Sequence, residues 1–155
     1  MSFEGLTFEP GDDGSGGIFL TAILENDVHT HGSVHRGAKI DSLNPLWHFV
    51  QSDFVRSPQR EPGVVWLGTT AEEATSGRLR LARVGETLYC LFAANESPEF
   101  RLIHAERVGP ESLLFSGIRL TTSVQSNGST HGTTSVIWKE LTIRAERLTD
   151  WSMTR

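Results

Sequence analysis

Residues 78–104 contain three short segments with the hydrophobic patterns of β-strands, and they constrain the fold more than any other stretch of the chain. Within residues 78–84, apolar side chains alternate with arginine or alanine, the period-two pattern of a half-buried strand. Gly85 marks a tight turn, because glycine adopts a positive φ without steric cost. Residues 87–93 are apolar on both faces, and a third segment begins near Phe100. An antiparallel three-stranded meander inside a layered sheet structure is therefore predicted.

Six further segments have the same character, with apolar residues bounded by turn-forming glycine, proline, asparagine or aspartate. They lie at residues 3–8, 18–24, 46–50, 64–67, 118–124 and 135–145. A change in apolar parity near Lys139 predicts a β-bulge in the last of them, and residues 71–74 carry the one pattern of a helical turn. Around nine short strands without a long helix predict an all-β fold, a two-layer antiparallel β-sandwich.

Length and composition favour one domain and exclude several classes of partner. A chain of 155 residues can bury a core without disulfides, so we assign residues 1–148 to a single β-sandwich domain and residues 149–155 to a loose C-terminal tail. Cys90 is the only cysteine, which excludes an internal disulfide or a cysteine-based zinc cluster. The net charge of −5 argues against a nucleic-acid partner. No apolar run has the length of a membrane span and no signal-peptide pattern is present, so no membrane partner is predicted.

Three of the six histidines fall within the glycine-containing stretch 28–37, which we interpret as a loop. His29 and His31 share a side if the segment is extended, and His35 could fold back across Gly32. Neutral imidazoles in such an arrangement can ligate Zn²⁺ or another borderline divalent metal. The alternative is a polar loop whose histidines are solvated or hydrogen-bonded. No other cofactor is predicted.

The C-terminal half resembles a domain family of unknown function that is common in planctomycete bacteria and has a concanavalin A-like jelly-roll fold. The matching residues are 76–85, Leu88-Tyr89, Phe100-Arg101 and 136–146. The resemblance covers residues 76–148 well and residues 18–67 in outline. It implies a two-layer jelly roll related in shape to laminarinases, legume lectins and similar carbohydrate modules. The matching motifs are structural and carry no catalytic residues.

These observations favour a non-catalytic carbohydrate-binding or accessory domain of unspecified ligand. Sugars stack their apolar faces on aromatic rings while polar side chains bind their hydroxyl groups. The candidate rings are Trp47, Trp66 and Tyr89, with Asp53 and Arg56 as polar neighbours. The alternative for each ring is packing in the core, where bulky aromatic residues of strands usually lie.

Two alternatives to sugar binding remain open. A glycoside hydrolase needs an acid and a nucleophile or base at a fixed separation. Related jelly-roll glucanases supply them as Glu-x-Asp-x-x-Glu, a string that is missing here, so we do not expect an enzyme. Glu140 and Glu146 would share a strand face only if no bulge separates them. The second alternative is a structural or protein-interaction module, such as a homodimer formed through an edge strand.

Overall fold

The computed structural model describes residues 1–9, 13–24, 27–41, 44–55, 64–109, 115–126 and 131–144, with the side chains of these ranges except at 27–29, 41, 44–45, 64–67 and 126. The described residues form ten β-strands and no helix. The strands are β1 (Ser2–Glu9), β2 (Gly14–Leu24), β3 (Asp27–Asp41), β4 (Asn44–Val55), β5 (Val64–Ala71), β6 (Gly77–Val84), β7 (Thr87–Ala94), β8 (Arg101–Arg107), β9 (Phe115–Ser126) and β10 (Thr133–Glu140). None of these residues belongs to a helix that could span a lipid bilayer.

The strands form two five-stranded sheets in which every pair of neighbours is antiparallel. Sheet I has the order β10-β1-β6-β7-β8, and sheet II has the order β5-β4-β3-β2-β9. The two sheets pack face to face, with β6 and β7 of sheet I over β3 of sheet II. The predicted all-β, two-layer antiparallel sandwich is therefore confirmed.

The β6–β7–β8 meander follows from the alternation read in the sequence. Gly85 has a φ of 56° at the tip of the hairpin, where Val84 pairs with Thr87. Leu79 and Phe92, paired across the two strands, are both buried. The turn glycine and the period-two pattern together determine which face of the hairpin packs on sheet II.

The core lies between the two sheets and consists of side chains from alternate positions of each strand. Sheet I contributes Phe3, Leu6, Leu79, Cys90 and Phe92, and sheet II contributes Ile18, Leu20, Val34 and Val50. A second buried cluster contains Ala22, Leu24, Phe54, Leu88 and Val108. Removing these side chains from water is the main favourable contribution to folding.

Strand β1 keeps two core residues on the same face although they are three positions apart. Gly5 has a φ of 61°, and the register with β10 shifts between Glu4 and Thr7. The extra residue of this β-bulge turns both Phe3 and Leu6 towards sheet II. A residue with a Cβ at position 5 would be strained in this conformation.

Strand β3 corrects the prediction of a loop at residues 28–37. This stretch is the middle of sheet II, paired with β2 on one side and β4 on the other. Its inward positions are Gly32, Val34, Arg36 and Ala38. A Cβ at Gly32 would lie 2.5 Å from Leu88 Cδ2 of sheet I, so a larger residue there would displace this leucine side chain. The loop interpretation was wrong because small inward residues and polar outward ones do not resemble an apolar strand.

One smaller prediction was wrong and another is confirmed. Residues 71–74 form no helical turn, because Ala71 ends β5 and the next three residues have no regular structure. The predicted β-bulge near Lys139 is present: Ser2 pairs with Glu140 and Phe3 pairs with Trp138, so Lys139 is the extra residue of β10, and the strand ends one residue later. The predicted tail at 149–155 lies outside the described residues.

Arg36 is 2% exposed on the inward face of β3, and its guanidinium is satisfied by neutral acceptors. Nε donates to the carbonyl of Ala74 at 3.1 Å. One terminal nitrogen donates to the carbonyls of Gly37 and Phe49, and the other donates to His48 Nδ1 at 3.1 Å. These bonds connect β3 to β4 and to the segment between β5 and β6.

The charge of Arg36 persists despite its burial. Burial lowers the pKa of Arg36 to about 10, while the nearby carboxylates of Glu72 and Glu73 act in the opposite direction. Beside the guanidinium lies a cavity of about 20 Å³, lined also by His48 and Thr75. A cavity of this size can hold one water molecule.

We predict that Arg36→Ala lowers the free energy of unfolding by about 2–4 kcal/mol, because it removes these hydrogen bonds and leaves a void between the sheets. Urea denaturation at neutral pH measures the change. Arg80→Ala on the exposed side of β6 serves as the control, and its expected loss is under about 1 kcal/mol. Similar losses for the two variants would contradict the anchoring role of Arg36.

Candidate binding face of sheet II

The outward face of sheet II collects side chains from three central strands. Because successive residues of a strand point to opposite faces, burial of Ile18, Val34 and Val50 in the core turns their neighbours outward. The register pairs Phe19 with His35 and His35 with Gln51, and it pairs Thr21 with Ser33 and Ser33 with Asp53. The face therefore carries an aromatic segment beside a polar one.

Four rings form a continuous line across this face, which we call the aromatic row: Phe19, His35, Phe49 and Trp47. The Phe19 and His35 rings stack with centroids 4.4 Å apart, and His35 meets the edge of Phe49 at 5.4 Å. The Phe49 and Trp47 centroids are 4.8 Å apart. Each such contact contributes about 0.5–1.5 kcal/mol beyond area burial, so the row is a preorganised surface.

A glycine makes room for the aromatic row. Gly37 is the cross-strand partner of Phe49, and a Cβ built on it would lie 2.9 Å from Phe49 Cζ. The ring thus lies against the backbone of β3. Only glycine permits so close an approach without displacing the ring.

The rings of the row differ in accessibility. His35 is 5% exposed and Phe49 is 8% exposed, whereas Phe19 is half-buried and Trp47 is 43% exposed. His35 and Phe49 therefore act as supports for the row. Trp47 is the most exposed of the four residues and the one most accessible to a ligand.

His35 is a neutral imidazole between two phenyl rings. Burial lowers its pKa to about 4, and its Nδ1 is buried without a hydrogen-bond partner. An unsatisfied buried polar atom costs about 1–3 kcal/mol. A phenylalanine at this position would avoid that cost, so His35 makes the folded protein less stable than phenylalanine would.

Beside the aromatic row lies a polar patch formed by His31, Ser33 and Asp53. Ser33 Oγ donates a hydrogen bond to Asp53 Oδ1. Burial raises the pKa of Asp53, while His31 and backbone hydrogen bonds from residues 33 and 53 act in the opposite direction. His31 Nδ1 is buried without a partner, as in His35. The patch can offer a carboxylate oxygen as an acceptor to a bound hydroxyl group.

The structure brings some of the predicted binding residues together and separates others. Trp47 and Asp53 lie on the same face of β4, about 20 Å apart along the strand. Trp66 of β5 is the cross-strand partner of Asp53. Tyr89 does not join them: Leu88 and Cys90 on either side of it are buried in the core, so Tyr89 faces outward from sheet I. Arg56 lies outside the described residues.

The three predicted metal ligands lie on one extended strand. His31 and His35 face the same side of β3, but four residues of strand place their Cα atoms about 13 Å apart, too far for two ligands of one ion. His35 cannot fold back across Gly32, because no loop exists there. No group of three His, Cys, Asp or Glu side chains in the described part of the chain is arranged to hold a metal ion. The side chain of His29 is outside the described set.

Comparison with protein families gives one match, which extends over residues 1–155. The chain belongs to the family described as "Protein of unknown function (DUF1583) C domain". Membership of a family of unknown function is thereby confirmed over the whole chain, beyond the part that carried the resemblance in the sequence. No curated protein and no solved structure matches the chain.

Sequence reasoning missed Phe19, Ser33, His35 and Phe49 as members of this face. Residues 18–24 are almost continuously apolar in the sequence, which conceals that Phe19 alternates with the core residues. The aromatic row also depends on the register of β2 with β3 and of β3 with β4. Its signal was present only in the alternation of β4, where Trp47, Phe49, Gln51 and Asp53 occupy every second position.

We predict that His35→Phe reduces the loss of stability at acidic pH. The folded-state pKa of about 4 lies below the unfolded value of about 6.5, so the unfolded chain binds the proton more readily. The free energy of unfolding therefore falls as the pH is lowered from 6.5 towards 4. Between pH 7 and pH 4.5 the wild type should lose about 2 kcal/mol more than His35→Phe, as measured by urea denaturation.

Asp53 does not obscure this effect. Its raised pKa contributes with the opposite sign, but Asp53 is present in both proteins and drops out of the comparison. An unchanged pH dependence in His35→Phe would refute the assignment of a buried, neutral His35.

Proposed function

We propose that this chain is a non-catalytic carbohydrate-binding or accessory domain, and that the outward face of sheet II is where it binds sugar. The observation that carries the proposal is the open indole of Trp47 at the end of the aromatic row. The apolar face of a sugar ring stacks on such an indole, and the packed rings behind it keep its orientation fixed.

The polar groups that complete the site lie on the same strand. Gln51 and Asp53 follow Trp47 at alternate positions of β4, and alternate positions of a strand are about 7 Å apart. A line of contacts about 20 Å long suits an oligosaccharide better than a single sugar. The net charge of −5 and the carboxylate of Asp53 favour a neutral polysaccharide over an acidic one.

We also propose that the sandwich is a concanavalin A-like jelly roll. The first and last strands pair with each other, and so do β2 and β9. Nested pairing of this kind arises when a long antiparallel ribbon is rolled into two stacked sheets. Jelly rolls occur among lectin domains, which supports a binding role.

Binding accounts for the chemistry of this face better than hydrolysis does. Glycoside hydrolysis requires two carboxyl groups across the scissile bond. Among the described side chains on the outward face of sheet II, Asp53 is the one carboxylate. Glu140 belongs to sheet I, and Glu146 lies outside the described residues. We therefore do not propose an enzyme.

We predict that Trp47→Ala weakens binding to a neutral polysaccharide by about tenfold or more, because loss of the ring removes the stacking surface. Affinity electrophoresis in gels containing β-1,3-glucan, β-1,4-glucan or xylan measures the effect. Trp47→Phe, which keeps a ring, should lose less affinity.

Tyr89→Ala is the matched control, because Tyr89 faces outward from the opposite sheet. Its affinity should equal that of the wild type. Equal weakening in Tyr89→Ala and Trp47→Ala, or absence of retardation in all three gels, would overturn the proposal. Release of reducing ends from the same polysaccharides would replace it with hydrolysis.

A further inference from the structure

We propose that the chain forms a two-fold symmetric homodimer in which the free edges of β9 pair in antiparallel fashion. This proposal does not depend on sugar binding. Among the ten described strands, four lie at sheet edges: β5 and β9 in sheet II, and β8 and β10 in sheet I. An edge strand presents unpaired backbone N–H and C=O groups and readily accepts another strand unless something blocks it.

The edges at one side of the sandwich, β5 and β8, are both blocked. In β5, Gly68 is the extra residue of a bulge, and its φ is 63°. The bulge lies against β8, since a Cβ on Gly68 would be 2.5 Å from the carbonyl oxygen of Ile103. β8 itself has charged side chains along its length, including Arg101, Glu106 and Arg107. Bulges and charges are the usual means of preventing edge pairing.

The edge strand β10 is short and carries a charged end. It has eight residues, and Lys139 forms an ion pair with Glu4 at 2.8 Å. Glu140 is exposed beside it. Ile137 is the large apolar residue of this strand that is exposed, at 56%. β10 is therefore a weaker candidate for pairing than β9, and Ile137 provides a control position.

β9 is not blocked in this way over most of its length, because its one register shift with β2 falls at Ser116, near the start of the strand. It is twelve residues long, its register with β2 is regular from Gly14 to Ile23, and Arg119 is its single charged residue. Leu120 is 36% exposed and Val124 is 47% exposed, although both point towards the inward face of the sheet. A long, nearly uncharged edge with exposed apolar side chains requires a partner strand to remain soluble.

A second copy of the chain is the occupant that this edge fits. A two-fold axis at Thr121 places Ile118 of one copy opposite Val124 of the other, and Arg119 opposite Ser123. Residues whose numbers differ by an even count share a face, so the inward faces of both copies stay aligned. The contact is isologous and closes at two chains, and it leaves no two arginines opposed.

The first test compares oligomeric state by sedimentation velocity on the full chain at 10–200 µM, a range chosen around about 10⁻⁵ M affinity. The wild type should sediment as a dimer, and Leu120→Lys/Val124→Lys should sediment as a folded monomer. Ile137→Lys on β10 should remain a dimer. A monomeric wild type, a dimeric double variant or a monomeric Ile137→Lys protein would overturn the proposal.

A second test does not depend on weakening the edge. Thr121→Cys should form an intermolecular disulfide under mild oxidation, because paired Cα atoms across an antiparallel ladder are about 4.5–5.5 Å apart. The native Cys90 does not interfere, since it is buried and burial raises its pKa to about 12. Thr133→Cys, exposed on β10, should stay monomeric on a non-reducing gel. Equal cross-linking of the two variants would reject the proposed axis.

Discussion

The structure depends on the position of β3 between β2 and β4. Its alternation of faces places Val34 and Arg36 in the core and places Ser33 and His35 on the outward face of sheet II. A shift of one residue in either ladder would exchange the two sets, exposing Val34 and burying Ser33 and His35 between the sheets. The hydrogen-bonded register of one strand therefore determines both the packing of the sandwich and the composition of the outward face of sheet II.

Two adjacent residues of β3 differ in whether their buried polar atoms are hydrogen-bonded. Arg36 points into the core, and its donors reach three carbonyls and His48. His35 points outward, and its Nδ1 has no partner. For Arg36, hydrogen bonds to three parts of the chain compensate the free-energy cost of burying the guanidinium. For His35, the cost of burying Nδ1 is not compensated. Stability alone accounts for Arg36, but it does not account for a histidine where phenylalanine would pack equally well. Among the described residues, the two histidine nitrogens that are buried without a hydrogen-bond partner, His31 Nδ1 and His35 Nδ1, both lie on this outward face.

Features that depend on residues close together in the sequence were predictable, whereas features that depend on the pairing of distant strands were not. The hairpin around Gly85 was predictable because alternation and a turn glycine are local signals. β3 was missed because its inward positions include glycine and arginine, which are not apolar, so its pattern resembled a loop. The aromatic row could not be predicted, since Phe19, His35 and Phe49 meet only through the registers of two strand pairs. The position of Tyr89 on the other sheet could not be predicted for a related reason: identifying an aromatic residue in a strand does not tell which sheet, and thus which side of the sandwich, it occupies.

The proposed binding face of sheet II and the proposed dimer edge at β9 are linked through β2. This strand carries Phe19 of the aromatic row and also pairs with β9, where Phe19 lies opposite Thr121. A two-fold axis perpendicular to sheet II at Thr121 would keep both outward faces on the same side of a ten-stranded sheet, with an aromatic row on each half. Stacking on one open indole gives a modest affinity, but two such sites held at a fixed separation convert the second contact into an intramolecular one. Pairing through β9 would thus increase retention on a long polysaccharide without any further contact to sugar.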